Sequence, residues 1–141
     1  MNVPTENLFS PPSLFTYEVQ ANDCDKYEHL NHAECFRILE RARWNALGEW
    51  GHSEVAVKKM GAGPVIISME ADFRKEILQS AILEISTQAE LLNSRFFAIH
   101  QSVQIEKSLH MRAKFKHGLF SLESRSLIVL PAAWTNVFES N

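Results

Sequence analysis

The spacing of apolar residues changes along the chain, and this change constrains the fold more than any other feature. Between Ala33 and about Trp50 the apolar residues recur at helical spacing. After Pro64 they alternate with polar residues in four or five successive segments, as in strands with one buried face. The segment Ser13–Ala21, rich in aromatic and β-branched residues, predicts a strand before the helix. Short connections between the later strands favour an antiparallel sheet.

The helix must bury its apolar stripe, and the inner face of the sheet is the surface available for it. We therefore predict an α+β fold, a curved antiparallel sheet wrapped around one long central helix. One domain is expected over residues 1–141, with residues 1–12 as an extended arm. Ser53 is expected to cap a short second helix. The helical stripe and the buried face of the first later strand are expected to comprise Cys35, Ile38, Leu39, Ala42, Ala46 and Trp50, and Ile67, Met69, Ala71 and Phe73.

Composition and charge argue against several classes of protein. The chain has 141 residues, of which 45% are hydrophobic and 22% charged, as in globular domains. A net charge of -3 argues against a dedicated nucleic-acid binder. No window reaches the roughly 18 apolar residues of a membrane helix, and the N-terminus does not resemble a secretory signal. The two cysteines predict reduced thiols and a cytoplasmic location, with small molecules or proteins as partners.

Ionisable side chains are concentrated where the predicted helix begins, in ANDCDKYEHLNHAECFRILERARW (residues 21–44). His29 and His32, with nearby acids and a cysteine, offer ligand types for zinc, but structural zinc sites usually take paired ligands from two segments, and no second Cys/His pair exists here. We therefore expect no metal. A second interpretation is helix capping, in which Asn31 is the N-cap and Glu34 completes a capping box.

A third interpretation is catalysis. A helix N-terminus offers unpaired N–H groups and a partial positive charge, which can stabilise an oxyanion. A carboxylate beside it can act as a nucleophile or as a general base toward water. The chain contains no Gly-x-Ser-x-Gly motif, which argues against a serine hydrolase of the α/β type.

The segment DCDKYEHLNHAECFRILERARW resembles the signature of the hotdog acyl-CoA thioesterases of the 4-hydroxybenzoyl-CoA thioesterase family. The matching motifs are a D-x-D loop (Asp23, Asp25), an H-x-N-H step (residues 29–32) and E-x-A-R along the helix (residues 40–43). The remaining strands match the family's order more weakly, so the resemblance spans nearly the whole chain. It implies the hotdog fold.

The resemblance also implies roles for individual residues. Asp25 takes the position of the catalytic carboxylate, and His32 that of the residue whose backbone N–H polarises the thioester carbonyl. Glu40 matches an acid that recurs on the family's helix and is the third catalytic candidate, although it could instead support the catalytic residues or form a structural ion pair with Arg43. Arg95, in the turn before a late strand, is a candidate for contacting the nucleotide phosphates, and a solvated turn charge is the alternative.

Three further residues are candidates for binding substrate. Asn31 and His29 belong to the H-x-N-H step, and Asn31 or His32 would orient water or the acid. Tyr27 stands in a loop where relatives often have glycine, so it is expected to affect the acyl pocket or its entrance. Cys35 replaces an aromatic residue of many relatives, which leaves space near the acyl chain.

The function implied is hydrolysis of an acyl-CoA or acyl-carrier-protein thioester to free acid and thiol. No metal or tightly bound cofactor is required, because CoA or phosphopantetheine belongs to the substrate. The alternatives are a hotdog enoyl-thioester hydratase or dehydratase and a non-catalytic acyl-thioester binding protein. By the same resemblance we expect a homodimer or homotetramer, with the pocket lined by both subunits. The basic stripe Arg112, Lys114 and Lys116 could contact phosphates or an acidic carrier protein, but the solvent face of a strand explains it more simply.

Overall fold

The structure is a computed structural model that describes residues 8–138. Its sheet has six strands, all pairs antiparallel, in the order β1-β3-β4-β5-β2, with β6 paired to β5. The predicted arrangement, one long helix against an antiparallel sheet, is present. The elements are β1 Ser13–Glu18, α1 His32–Glu49, α2 Glu54–Met60, β2 Ala62–Phe73, β3 Ile82–Leu91, β4 Phe96–Ile105, β5 Ser108–Ser121, β6 Ser126–Ile128 and α3 Ala132–Thr135.

Helix α1 buries the predicted stripe against the inner face of the sheet. Five of the six predicted residues are buried, and Trp50, at the C-cap, is half-buried. Full burial of one Leu or Ile side chain is worth about 1.5–3 kcal/mol, so this stripe holds α1 on the sheet. The helix contacts β1 and β3, and β2 lies at the other edge of the sheet.

Strand β2 differs from its prediction in two ways. It begins at Ala62, so Gly63 and Pro64 lie within the strand, because an edge strand tolerates proline. The predicted buried face is also only partly correct. Ala71 packs against the core, but Met69 and Phe73 are 44% and 55% exposed, and a register irregularity between Ile66 and Ser68 moves Ile67 out of the alternation. The physical reason is that β2 is a free sheet edge in the single chain and carries a bulge.

Of the predicted N-terminal arm, residues 1–7 lie outside the described residues. Leu8 and Ser10 run beside β3, where the Leu91 N–H donates to the Leu8 carbonyl (2.9 Å) and the Ser10 N–H to the Ala89 carbonyl (2.8 Å). At the start of α2, the Ser53 hydroxyl accepts a hydrogen bond from the Ala56 N–H (3.2 Å), which confirms the predicted cap. Across residues 8–138, no helix is both long enough and apolar enough to cross a bilayer.

Candidate active site

The loop before α1 forms a small hairpin closed by a bridge between Cys24 and Leu30. Asp25 lies in it, half-buried. Its Oδ1 accepts hydrogen bonds from the backbone N–H groups of Tyr27 (2.9 Å) and His29 (3.3 Å), and its own N–H donates to the His29 carbonyl (2.9 Å). The loop therefore fixes one carboxylate oxygen of Asp25 through backbone donors.

The two acids of the D-x-D motif have different environments. Asp23 is 7% exposed, and its Oδ2 accepts hydrogen bonds from the Tyr17 hydroxyl (2.6 Å) and the Gln20 N–H (2.8 Å). Burial, together with the hydrogen bond to Asp23, raises the pKa of Tyr17 to about 12. Asp23 thus ties the loop to β1, whereas Asp25 is the more accessible acid.

The start of α1 is held by Asn31. Its side-chain oxygen accepts hydrogen bonds from the N–H groups of Ala33 (2.8 Å) and Glu34 (3.4 Å), which confirms the predicted N-cap. The reciprocal half of the expected capping box is absent from the contacts of residues 8–138. The Asn31 N–H instead donates to the Asp23 carbonyl (2.9 Å), and Glu34 pairs with Arg37 (3.3 Å).

This hydrogen bond between Asp23 and Asn31 brings the acid loop to the helix start. Asp25 follows Asp23 by two residues in the chain. His32, the residue after Asn31, is the first residue of α1. Two residues of extended chain span roughly 7 Å, so the backbone of Asp25 lies within about that distance of the residue that is bonded to the N-cap. His32 itself is exposed.

His29 and Tyr27 lie in the same loop as Asp25, with their ring centroids 6.5 Å apart. The His29 Nε2 is 2.8 Å from a carboxylate oxygen of Glu76, and His29 lines a cavity of about 260 Å³ beside the first turn of α1, together with Cys35 and Phe73. Tyr27 is 68% exposed. Burial raises the pKa of the Cys35 thiol to about 11, so Cys35 is a neutral wall of this cavity.

A second cavity, about 290 Å³, follows the seam between α1 and the edge strand β2, and we call it the seam groove. Glu40 lines this groove and is exposed. It lies about 12 Å from His32 along the axis of α1, since an α-helix rises 1.5 Å per residue. The edge-to-face pair of Phe36 and Phe73 (6.0 Å between ring centroids) lies where the groove meets the first cavity. The groove is lined by Ala33, Phe36, Arg37, Glu40, Arg43, Ile66, Met69 and Phe115.

Arg95 lies at the opposite end of the sheet from Asp25. It precedes Phe96, whose partner on β5 is Gly118, whereas the Phe73 end of β2 pairs with Met111. Seven residues of strand separate these β5 positions, roughly 24 Å. One chain therefore does not bring Arg95 to the loop of Asp25.

The burial of Arg43 was not predicted from the sequence. This residue is 6% exposed, and its Nη1 donates to Oε1 of Gln101 (3.0 Å) rather than to a carboxylate. Gln101 in turn donates to the Leu39 carbonyl and the Thr87 hydroxyl, each at 3.0 Å. The signal for this network was Gln101 itself, a polar residue at an inward-facing position of β4.

Comparison with known proteins decides the family. The model of the thioesterase-like superfamily matches residues 19–138. The chain belongs to this superfamily. The match confirms the resemblance and the enzyme class, a thioester hydrolase. Among the described residues of this thioesterase-like chain, no three His, Cys, Asp or Glu side chains are grouped to hold a metal ion.

The similar proteins with assigned activities include several thioesterases. The long-chain acyl-CoA thioesterase FadM of Escherichia coli is 27% identical over 89 residues, which cover 63% of this chain and 67% of FadM. A 1,4-dihydroxy-2-naphthoyl-CoA thioesterase from Synechocystis superposes with a TM-score of 0.83 at 15% identity, covering 92% and 97% of the two chains. A DHNA-CoA thioesterase from Staphylococcus aureus gives 0.82 at 17% identity, covering 91% and 89%. These structures confirm the predicted hotdog fold.

Proposed function

We propose that this member of the thioesterase-like superfamily hydrolyses an acyl-CoA thioester, with Asp25 as the reacting carboxylate and the N-terminus of α1 as the oxyanion site. The observation that carries the proposal is the hydrogen bond between the Asp23 carbonyl and the Asn31 N–H, which holds the loop of Asp25 against the start of an 18-residue helix. Asp25 is anchored there through one oxygen only in the contacts described above.

The helix start supports an oxyanion at His32. Asn31 already accepts hydrogen bonds from the N–H groups of Ala33 and Glu34, so the N–H of His32 is the donor of the first turn that the cap leaves open. The aligned peptide dipoles add roughly half a positive charge at this end. A thioester oxygen at His32 would therefore gain stabilisation as negative charge develops on it.

Two routes lead from this geometry to the products. Asp25 can attack the thioester carbon and form a mixed anhydride as the thiolate leaves, after which water hydrolyses the anhydride and regenerates the carboxylate. Alternatively, Asp25 takes a proton from water, the resulting hydroxide attacks the carbon, and the proton passes to the leaving sulfur. Both routes yield a free acid and a thiol, and neither requires a metal or a bound cofactor.

The other predicted site residues take supporting roles in this proposal. Asn31 sets the helix start, the His32 side chain orients water, and His29 and Tyr27 border the entrance for the thioester arm. Glu40 contributes to the seam groove rather than to bond cleavage, because it lies about two turns of α1 beyond His32.

The seam groove is the proposed acyl site. Its walls are mostly apolar, including Phe36, Ile66, Met69 and Phe115, and it leads away from the helix start, as an acyl chain would. The FadM relative is a long-chain enzyme, and its name supports CoA as the carrier. An acyl-carrier-protein thioester is the alternative substrate. The cytoplasmic location of the protein is a prediction that rests on the sequence.

A second copy of the chain is proposed to complete the site. Ile66, Met69 and Phe73 lie on the inner face of β2, opposite buried residues of β5. They are nevertheless 46%, 44% and 55% exposed, because β2 is the free edge of the sheet. Antiparallel pairing of two β2 edges would cover these side chains. It would also bring the Arg95 end of one sheet toward the Asp25 end of the other. We propose a homodimer, with a homotetramer as a further assembly.

The test is thiol release from a panel of aromatic, short-chain and long-chain acyl-CoAs, with an acyl-carrier-protein equivalent alongside. The proposal expects stoichiometric free acid and thiol from at least one acyl-CoA. Hydration of an enoyl-CoA without thiol release would favour the hydratase. Tight binding without turnover across the panel would favour the binding protein. Either result would overturn the proposal.

A further inference from the structure

Arg43 is a buried cation that has no anionic partner in the described part of the chain. Its nearest polar partner is the neutral amide of Gln101, and no carboxylate of residues 8–138 lies within 4 Å of its guanidinium. Burial lowers the pKa of Arg43 to about 10, against the opposing effect of Glu40, which still leaves it charged near neutral pH. A buried charge is costly unless an opposite charge or several hydrogen bonds compensate it.

Arg43 also lines the seam groove, as does Phe115. Its guanidinium lies over the Phe115 ring, with 4.1 Å from Cζ to the ring centroid. An arginine presents five N–H donors in a planar fork that matches a carboxylate, and the bond to Gln101 uses only one nitrogen, Nη1.

The distance from the helix start suits the far end of a substrate. Arg43 follows His32 by 11 residues, about 16 Å along α1, and helical side chains lean back toward the N-terminus. Ala33, Phe36 and Glu40 share the face of α1 that borders the groove. A medium-length acyl chain whose carbonyl is held at His32 would therefore end beside the guanidinium.

We infer that Arg43 is a specificity-determining residue that binds a carboxylate at the distal end of the acyl group, so that the favoured substrates are ω-carboxyacyl thioesters. This inference rests on the proposed function and specifies its substrate class. A distal carboxylate would pair with the fork of Arg43 and supply the anion that the buried cation lacks. A plain alkyl end would leave the guanidinium without that partner.

The experiment compares kcat/KM for decanoyl-CoA and for sebacoyl-CoA, its ω-carboxy analogue, with octanoyl-CoA and dodecanoyl-CoA and their ω-carboxy analogues as a length series. The wild-type protein should prefer the ω-carboxy member of at least one pair by about tenfold or more, the worth of one charged hydrogen bond. In Arg43→Met this preference should disappear, because KM for the ω-carboxy member rises more than KM for the plain acyl-CoA. Arg43→Lys keeps the positive charge but lacks the planar guanidinium, so it should retain part of the preference for the ω-carboxy substrate.

Arg41→Met is the matched control, because Arg41 is exposed and contacts the rings of Phe15 and Tyr17 on β1 rather than the groove. It should keep the wild-type ratio of the two substrates. A wild-type protein without the preference, or an Arg43→Met variant that keeps it, would overturn the inference.

The test also covers a variant that does not fold and a protein that releases no thiol. If Arg43→Met does not fold, as judged by circular dichroism, the ratio in Arg43→Lys decides, and an unchanged ratio counts against the inference. If no thioester releases thiol, the proposed function fails separately. Calorimetric affinities of sebacoyl-CoA and decanoyl-CoA for the wild type and the arginine variants then test Arg43, with the same ratios expected in Kd.

Discussion

At the scale of single residues, two acids separated by one residue have different environments because they accept hydrogen bonds from different donors. The Asp23 carboxylate is buried against Tyr17, whereas Asp25 keeps one oxygen outside the loop hydrogen bonds described here. The sequence identified the pair and the N-cap Asn31. It could not reveal that the Asn31 N–H bonds to the Asp23 carbonyl, because that contact depends on the tertiary position of the loop. For this reason Glu34 was wrongly expected to complete a capping box.

Substitution of Asn31 by Ala should lower the free energy of unfolding by about 1 kcal/mol, because the N–H groups of Ala33 and Glu34 lose their acceptor. Equilibrium urea denaturation measures this change. Asn31→Asp keeps an acceptor oxygen at the cap and serves as the control, with stability near that of the wild type. An alanine variant as stable as the aspartate variant would contradict the assigned cap.

His117 should make folding weaker in acid. It is 4% exposed and its ring stacks on Phe97. Burial, helped by the charge of Arg43, lowers its pKa from 6.5 to about 4, while a hydrogen bond to the Phe115 carbonyl acts in the opposite direction. Since the unfolded chain takes up the proton first, this residue's contribution is complete above pH 6.5 and is lost as the pH falls from 6.5 to 4, by up to about 3 kcal/mol.

The measurement is the free energy of unfolding at pH 7 and at pH 4.5 for the wild type and for His117→Phe, which keeps a stacked ring and removes the titration. The wild type should lose more stability between these pH values than the variant. His52, whose pKa is also lowered, chiefly by burial, remains in both proteins and cancels in the comparison. Equal losses in the two proteins would contradict the role of His117.

At the scale of elements, α1 and the strand pairs were predictable because each buries one face against the others, and burial imposes the period of 3.6 or 2. The bulge at Ile67 was not predictable, since Ile66, Ile67 and Met69 are similar in hydrophobicity and either parity could have faced inward. The burial of Arg43 was not predictable either, because an arginine beside an apolar stripe is usually solvated.

The edge strand β2 carries the prediction about assembly. Met69→Glu should shift the protein from dimer to monomer in sedimentation velocity and should lower thiol release, because it places a charge on the exposed face proposed to meet a second copy. Leu14→Glu is the matched control, since Leu14 is 76% exposed on β1, the strand at the other end of the sheet. A Met69→Glu variant with the wild-type mass and activity would contradict pairing through β2.

At the scale of the whole molecule, the fold sets the two ends of the proposed substrate site. The loop of Asp25 and the start of α1 lie at one end of the seam groove, and Arg43 lies about three turns of helix further on. The sequence motif predicts the first end because the acids, Asn31 and His32 lie close together in the chain. The second end combines α1, β2 and β5, so only the folded structure reveals it.

The most direct test of this account is kcat/KM for thiol release by Asp25→Asn, on whichever acyl-CoA the wild type hydrolyses best. We predict a loss of at least about 100-fold with unchanged circular dichroism, because the amide can neither attack the thioester nor take a proton from water. Glu28→Gln, the same charge change at an exposed position of the same loop, should retain activity within a few-fold of the wild type. Near-normal turnover by Asp25→Asn, or a loss confined to Glu40→Gln, would contradict the account.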